Sequence, residues 1–326
     1  GQNVLKETNK YEMLLTDKTD LEGLPESVLE AAKARAKTKG KEGWLFDLSA
    51  PSYTSFMKYS TRRDLREKLY RAYNTKCVTG GEFDNQENVK KIVNLRLEIA
   101  NLLGYENYAE YVLKYRMAKN TEGVYGLLDK LADAYTPVAK KEVDDVQAYA
   151  LKVEAKPIEI QPWDWSFYAD KLKDERFKLN DEMLRPYFEL EQVKKGVFGL
   201  ATNLYGLQFV KNPDIPVYHP EVEAFDVLDE NGQFLAVLYT DFHPRPGKQS
   251  GAWMTEFKGQ WIKDGVDSRP HVSLVMNFTR PTETKPALLT FDEVETFLHE
   301  FGHALHGMLS RCTYESLSGT NVYRDF

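Results

Sequence analysis

Between Thr290 and Met308 the sequence carries the pattern that most limits what this chain can become. Phe291, Val294, Leu298, Phe301, Leu305 and Met308 recur at steps of three and four, the repeat of an amphipathic helix that must bury one face. Thr290 and Glu293 have the spacing of a capping box, in which each side chain satisfies an orphan amide at the helix start. His299, His303 and His306 fall on another face, so three of the six histidines share two turns of one helix. His299-Glu300-Phe301-Gly302-His303 fits H-E-x-x-H. Four helical residues return nearly to the same azimuth, so both imidazoles can reach one zinc ion at about 2.0–2.1 Å. Glu300 stands about 100° round the helix, beside the metal, where its carboxylate can act as general base toward a water. A chance match is expected roughly 0.01 times in a chain of this composition. The spacing therefore predicts a zinc pair, His299 and His303, with Glu300 as the base, all on one helix facing a cleft. His306 follows His303 by only three residues and is read as lying beside the ligands or facing substrate.

The segments upstream are helical first and mixed later. Val89, Ile92, Val93, Ile99, Ala100 and Leu103 mark one helix face between Asn85 and Gly104, where a left-handed glycine would stop it. Val124, Leu127, Leu128 and Leu131 repeat the pattern up to Pro137, which should end or kink the helix. Val143, Val146, Ala150 and Val153 continue it beyond. A turn-rich stretch with Pro157, Pro162, Trp163 and Trp165 suggests a boundary, placing a helical region at 1–155 and an α+β region at 156–326. A further helix is expected from about Asp181 to Leu207. A hairpin follows over Ala224–Asp241, with a type I′ turn at Asn231-Gly232. His271–Phe278 is a second strand candidate between Pro270 and Pro281. The fold class is thus mainly α with a small β-sheet.

Composition removes other classes. The 326 residues carry 43 Lys and Arg against 50 Asp and Glu, a net charge of −7, which argues against a nucleic-acid partner that needs a basic face. Mean hydropathy is −0.53, and no apolar run approaches the roughly 18 residues of a membrane span, so no membrane partner is expected. Two cysteines, Cys77 and Cys312, are too few for a disulfide framework and favour a reducing, cytoplasmic setting over a periplasmic one. Gly247-Lys248-Gln249-Ser250 is similar to the end of a phosphate loop, but Phe242 stands where its first glycine belongs. Asn277-Phe278-Thr279 fits a glycosylation sequon inside a strand candidate.

Phe297 to His306, with Leu317-Ser318-Gly319-Thr320-Asn321 and Arg324-Asp325-Phe326, resembles the thimet-oligopeptidase family of zinc metallopeptidases, and most the bacterial peptidyl-dipeptidase branch. Leu21-Glu22-Gly23-Leu24-Pro25, Leu102-Leu103-Gly104-Tyr105 and Gly251-Ala252-Trp253-Met254 extend the resemblance over nearly the whole chain. It implies a zincin-like fold, part of a two-lobed helical molecule with a deep channel. It also implies short unfolded peptides as substrates, release of C-terminal dipeptides, and substrate-side roles for Gly251, Ala252, Gly319 and Thr320. In the family a third ligand, a glutamate, follows the Asp-Phe pair, so the chain resembles the middle of a larger enzyme whose downstream remainder would be its partner. One zinc ion in the complete enzyme, and weak or absent zinc in this chain alone, is the expectation; Glu315 and Asp325 could replace the third ligand on residue type alone. Peptide substrate is expected to add as a strand along Gly251–Met254 or His271–Asn277. The alternatives are an internally cutting oligopeptidase and a peptide-binding module without catalysis.

Overall fold

The computed structural model describes residues 1–322, in two compact units taken one at a time below. The first comprises Gly1–Leu24 and Ser55–Lys178, and its main helices are α1 (Arg63–Asn74), α2 (Gln86–Leu102), α3 (Thr121–Val153) and α4 (Trp165–Phe177). The turn-rich stretch 156–164 lies inside this unit. Gly104 stops α2 with φ +82°, the left-handed conformation glycine adopts without a Cβ penalty. Asn120 caps α3, its side chain accepting from the Gly123 amide at 2.8 Å. Pro137 does not end α3, which runs on for 33 residues. A proline removes one ladder bond, here the one to Asp133, and Asp133 is exposed, so water can satisfy the carbonyl it releases. Beyond it, Val146 and Ala150 pack with Phe167 and Tyr168 of α4 in a small core.

Asp164, fully buried at the start of α4, organises the polar side of this unit. Arg63 and Arg66 of α1 both donate to it, Arg66 at 2.8 Å from an equally buried position. Burial works against its charge, but the bonds from Arg63, the Gln161 amide and Arg66 hold the carboxyl below the usual range.

The second unit comprises Pro25–Thr54 and Leu179–Val322. The helix expected over 181–207 is broken: a short turn at Asp181–Leu184 and a 3₁₀ turn through Pro186 precede α5 (Leu190–Tyr205). The strands of a five-stranded sheet follow: β1 (Gln208–Lys211), β2 (Glu223–Leu228), β3 (Phe234–Asp241), β4 (Trp253–Lys258) and β5 (His271–Val275). Their order is β1-β2-β3-β5-β4, antiparallel except for the β3–β5 pair. Sheet membership corrects one expectation. β5 is flanked by β3 and β4, so His271–Asn277 presents no free edge, whereas β4 is the outer strand.

The hairpin turn also differs from type I′. Glu230 and Asn231 keep negative φ and Gly232 alone is left-handed at +78°. Asp229 explains this: its carboxylate accepts from the amides of Asn231 and Gln233 at 2.9 and 2.8 Å, holding a type I turn closed by a glycine bulge.

Helix α6 (Phe291–Met308) packs on the sheet with α5, and Phe297, Phe301, Ala304 and Met308 enter the core with Val227, Leu238, Val272 and Leu274. This stripe is rotated from the one expected, since Phe291 and Leu298 are 46% and 41% exposed. The face of α6 is set by where Phe198 and Phe209 stand to receive Phe301, which lies outside the helix's own period. Among the described residues, no helix is long and apolar enough to cross a membrane.

Candidate metal centre

The capping box at the head of α6 is complete. Thr290 accepts from the Glu293 amide at 3.1 Å, and Glu293 accepts from the Thr290 amide at 2.9 Å. The same carboxylate receives the Thr279 amide at 2.7 Å, tying the helix start to the segment that leaves β5. Burial pushes the Glu293 carboxyl up despite these donors. The helix is therefore anchored two turns before its first histidine.

His299 and His303 face each other across one turn, with Nε2 atoms 3.3 Å apart and ring planes at 85°. Two ligands at 2.0–2.1 Å on a tetrahedral centre would stand about 3.3–3.4 Å apart, so the donor pair fits a single zinc ion. Both imidazoles are exposed, and Glu300 between them is half-buried. A cavity of about 520 Å³ in the same unit, walled by residues such as Lys211, Glu221 and His243, contains none of the three. Among the described residues, no group of three or more His, Cys, Asp and Glu stands together as a metal site. His306 and Glu315 are thus not gathered with the pair, and Asp325 lies outside the described residues. His306 instead borders Glu256 of β4, whose carboxyl is pushed up by burial and by the like charge of Glu315, with His306 pulling the other way.

The remaining candidates fall around the same strand. Gly251 has φ +97° and open space about it, and Ala252 leans on the core at the entry to β4. Asn277 donates to the carbonyls of Gln249 and Gly251 at 2.9 and 2.7 Å, which accounts for the sequon as a loop clamp. Gly319 is buried with φ +60°. A Cβ there would meet Glu256 Oε1 at 2.5 Å, and one on Gly307 of α6 would meet the same oxygen at 2.6 Å. The loop holding Gly319 therefore closes on the last turn of α6 with Glu256 between them. Thr320 follows, half-buried.

Two groups that carry this architecture escape a reading of the sequence. Glu256 is one, because its neighbours lie about fifty residues or more away. The other is the buried Asp241 at the end of β3, which receives Arg245 at 2.7 Å, Lys248 at 2.8 Å and Tyr218 at 2.9 Å. Burial opposes its charge, yet Arg245 and Lys248 bring the carboxyl down to about 2. Lys248 also donates to the His243 carbonyl at 2.8 Å, so the stretch similar to a phosphate loop is held as a structural clamp that leads into β4. A motif scan sees the lysine and glycine but not the aspartate they fold around.

Residues 56–326 match the model of peptidase family M3. Oligopeptidase A of Salmonella typhimurium is 42% identical over 98% of this chain and 48% of its own length. Dipeptidyl carboxypeptidase of Escherichia coli is 36% identical over 100% of this chain and 48% of its own, and a probable cytosolic oligopeptidase A of Arabidopsis thaliana is 39% identical over 95% and 46%. The chain spans about half the length of these relatives.

Proposed function

The chain belongs to peptidase family M3, and from that membership we propose that it carries the core of a zinc-dependent site for hydrolysing short peptides. The observation that carries this reading is the pair of Nε2 atoms 3.3 Å apart on a helix whose start is closed by a capping box, with Glu300 next to His299 in sequence. His299 and His303 would hold a zinc ion, which when bound would supply Lewis-acid activation of the scissile carbonyl and of the attacking water. Glu300 accepts the proton of that water and returns it to the leaving amine, the work of a single carboxylate acting first as base and then as acid. The outer strand β4 offers unpaired backbone groups on which an extended peptide can lie, with main-chain bonds that tolerate any side chain. Gly251 and Ala252 would start that contact, and Gly319 and Thr320 would border it from the loop that closes on Glu256. Catalytic zinc sites take three protein ligands. The third would come from a carboxylate outside the described residues, among which no further ligand is gathered with the pair.

Release of C-terminal dipeptides follows from the likeness of the terminal motif. A second reading, internal cleavage of oligopeptides, is favoured by 42% identity to oligopeptidase A against 36% to dipeptidyl carboxypeptidase. Product masses from a ten-residue peptide separate the two. The proposal itself is tested by Glu300→Gln in a longer polypeptide that contains this chain. The amide is nearly isosteric and cannot accept the proton, so zinc content should hold while turnover falls at least about a hundredfold. Turnover at the wild-type rate would sink the assignment of the base.

A further inference from the structure

Gln260 is buried just beyond β4, and every hydrogen-bonding position of its amide is taken. Its nitrogen donates to the Asp267 carboxylate at 3.0 Å and to the Cys312 carbonyl at 3.1 Å. Its oxygen accepts from the Cys312 amide at 2.8 Å and from the Ser318 hydroxyl at 2.9 Å. A side-chain amide offers two donors and two acceptor positions, so the group is saturated. Toward Cys312 it acts as a neighbouring strand would, bonding both backbone groups of one residue. The residues on either side extend this seam. The Ile262 amide donates to the Thr313 carbonyl at 3.1 Å, and the Gly259 amide to the Glu315 carboxylate at 3.3 Å.

What the seam holds is the loop that follows α6. Among the described residues beyond Leu309, the buried ones are Ser318 and Gly319. The Ser318 and Ser310 hydroxyls stand 3.0 Å apart, and Ser310 accepts from the Gly319 amide at 2.9 Å. At Gly319 the loop has come back to α6, where an added Cβ would lie 3.3 Å from the Gly307 Cα. Gln260 thus ties the end of the outer strand β4 to the point where the loop meets the histidine helix. The end of that helix has an anchor of its own. Arg269 donates to the carbonyls of Met308 at 2.6 Å, Ser310 at 3.0 Å and Leu235 at 2.7 Å, a cation on the unpaired carbonyls of a helix C-terminus. Helix and loop are therefore fixed by different side chains and can be loosened separately.

We propose that Gln260 is a positioning residue of the peptide site. It holds Ser318, Gly319 and Thr320 in place beside β4, so that a peptide laid on the outer strand meets a loop already in order. This rests on the reading above that peptide adds along β4. A surface fixed in advance spares the ligand the cost of ordering it, so losing the brace falls on affinity. The bonds of Gln260 go to Asp267, Cys312 and Ser318 and not to His299, Glu300 or His303. Those three stay on a helix kept by its capping box, its aromatic core and Arg269.

The test is Gln260→Ala, read in two ways. In the 326-residue chain, amide hydrogen exchange over 312–320 should quicken at least about fivefold, the lower range for stripping partners from buried polar groups. Exchange over 291–308 should stay as it was. In a longer polypeptide that contains this chain, KM for a ten-residue peptide should rise at least about fivefold, with kcat within about twofold and zinc content unchanged. That split marks lost binding, whereas a brace of merely structural worth would lower kcat and zinc along with stability. Ser318→Ala deletes one hydroxyl, leaves the amide bonded to Cys312, and should move KM the same way by less. It keeps the test open should Gln260→Ala fail to fold. A loop that quickens while KM stays put would overturn the proposal. So would unchanged exchange over the loop, or a fall in kcat or zinc with KM unmoved, and each of these leaves the assignment of His299, Glu300 and His303 standing. A wild-type polypeptide that cleaves no peptide would instead defeat that assignment, and the proposal with it.

Discussion

Helices α2 and α6 are near twins in length, 17 and 18 residues, and both carry a strong apolar repeat, yet they live in opposite surroundings. α6 sends Phe297, Phe301, Ala304 and Met308 into a core shared with the sheet and α5, and its start is tied down by Thr290, Glu293 and Thr279. α2 buries Ala100 and little else. Periodicity marks the face that has to be covered; it does not say which part of the polypeptide covers it. The helix that bears the histidines finds its core inside its unit, and the helix with the wider apolar face buries little of it among the described residues.

Substitutions can break this contrast or sharpen it. Phe301 sits among Phe198, Phe209 and Phe297, so Phe301→Ala should cost the second unit about 3–5 kcal/mol, read from denaturant unfolding. Next comes Asp241. Its folded carboxyl is depressed to about 2 against about 3.9 when unfolded, so the stability it adds is complete above that higher value and lost as pH falls toward 2. That amounts to about 2 kcal/mol between pH 7 and pH 2, and Asp241→Asn should flatten this part of the acid-unfolding profile. Thr290→Ala removes half of the capping box and should cost about 1 kcal/mol, visible as faster hydrogen exchange in the first turn of α6. Smallest is Leu102→Ala on α2, expected within about 0.5 kcal/mol in this chain because the side chain has nothing to leave. A loss near that of Phe301→Ala would erase the distinction between the two helices.

What the sequence made legible was local. Caps, the left-handed Gly104 and the four-residue spacing of His299 and His303 each depend on neighbours within one or two turns, and each appears in the structure. What it hid depends on distant partners. Even the hairpin turn, though local, followed Asp229 rather than Asn-Gly preference, because the Asp229 carboxylate captured the amides of Asn231 and Gln233. β5 proved interior since its parallel pairing with β3 joins strands thirty residues apart. The buried stripe of α6 turned toward aromatic rings on α5 and β1. Glu256 gained its place only once the loop at Gly319 folded back on Gly307.

The most direct measurement is zinc uptake by the 326-residue chain, followed by competition with a chromogenic chelator, beside His299→Ala and His303→Ala. Two facing imidazoles without a third ligand among the described residues should bind zinc weakly, far below the affinity of a complete three-ligand site, and each substitution should abolish that binding while leaving the helix folded. Zinc taken up equally by the wild type and both variants would show that the metal sits elsewhere and contradict the account.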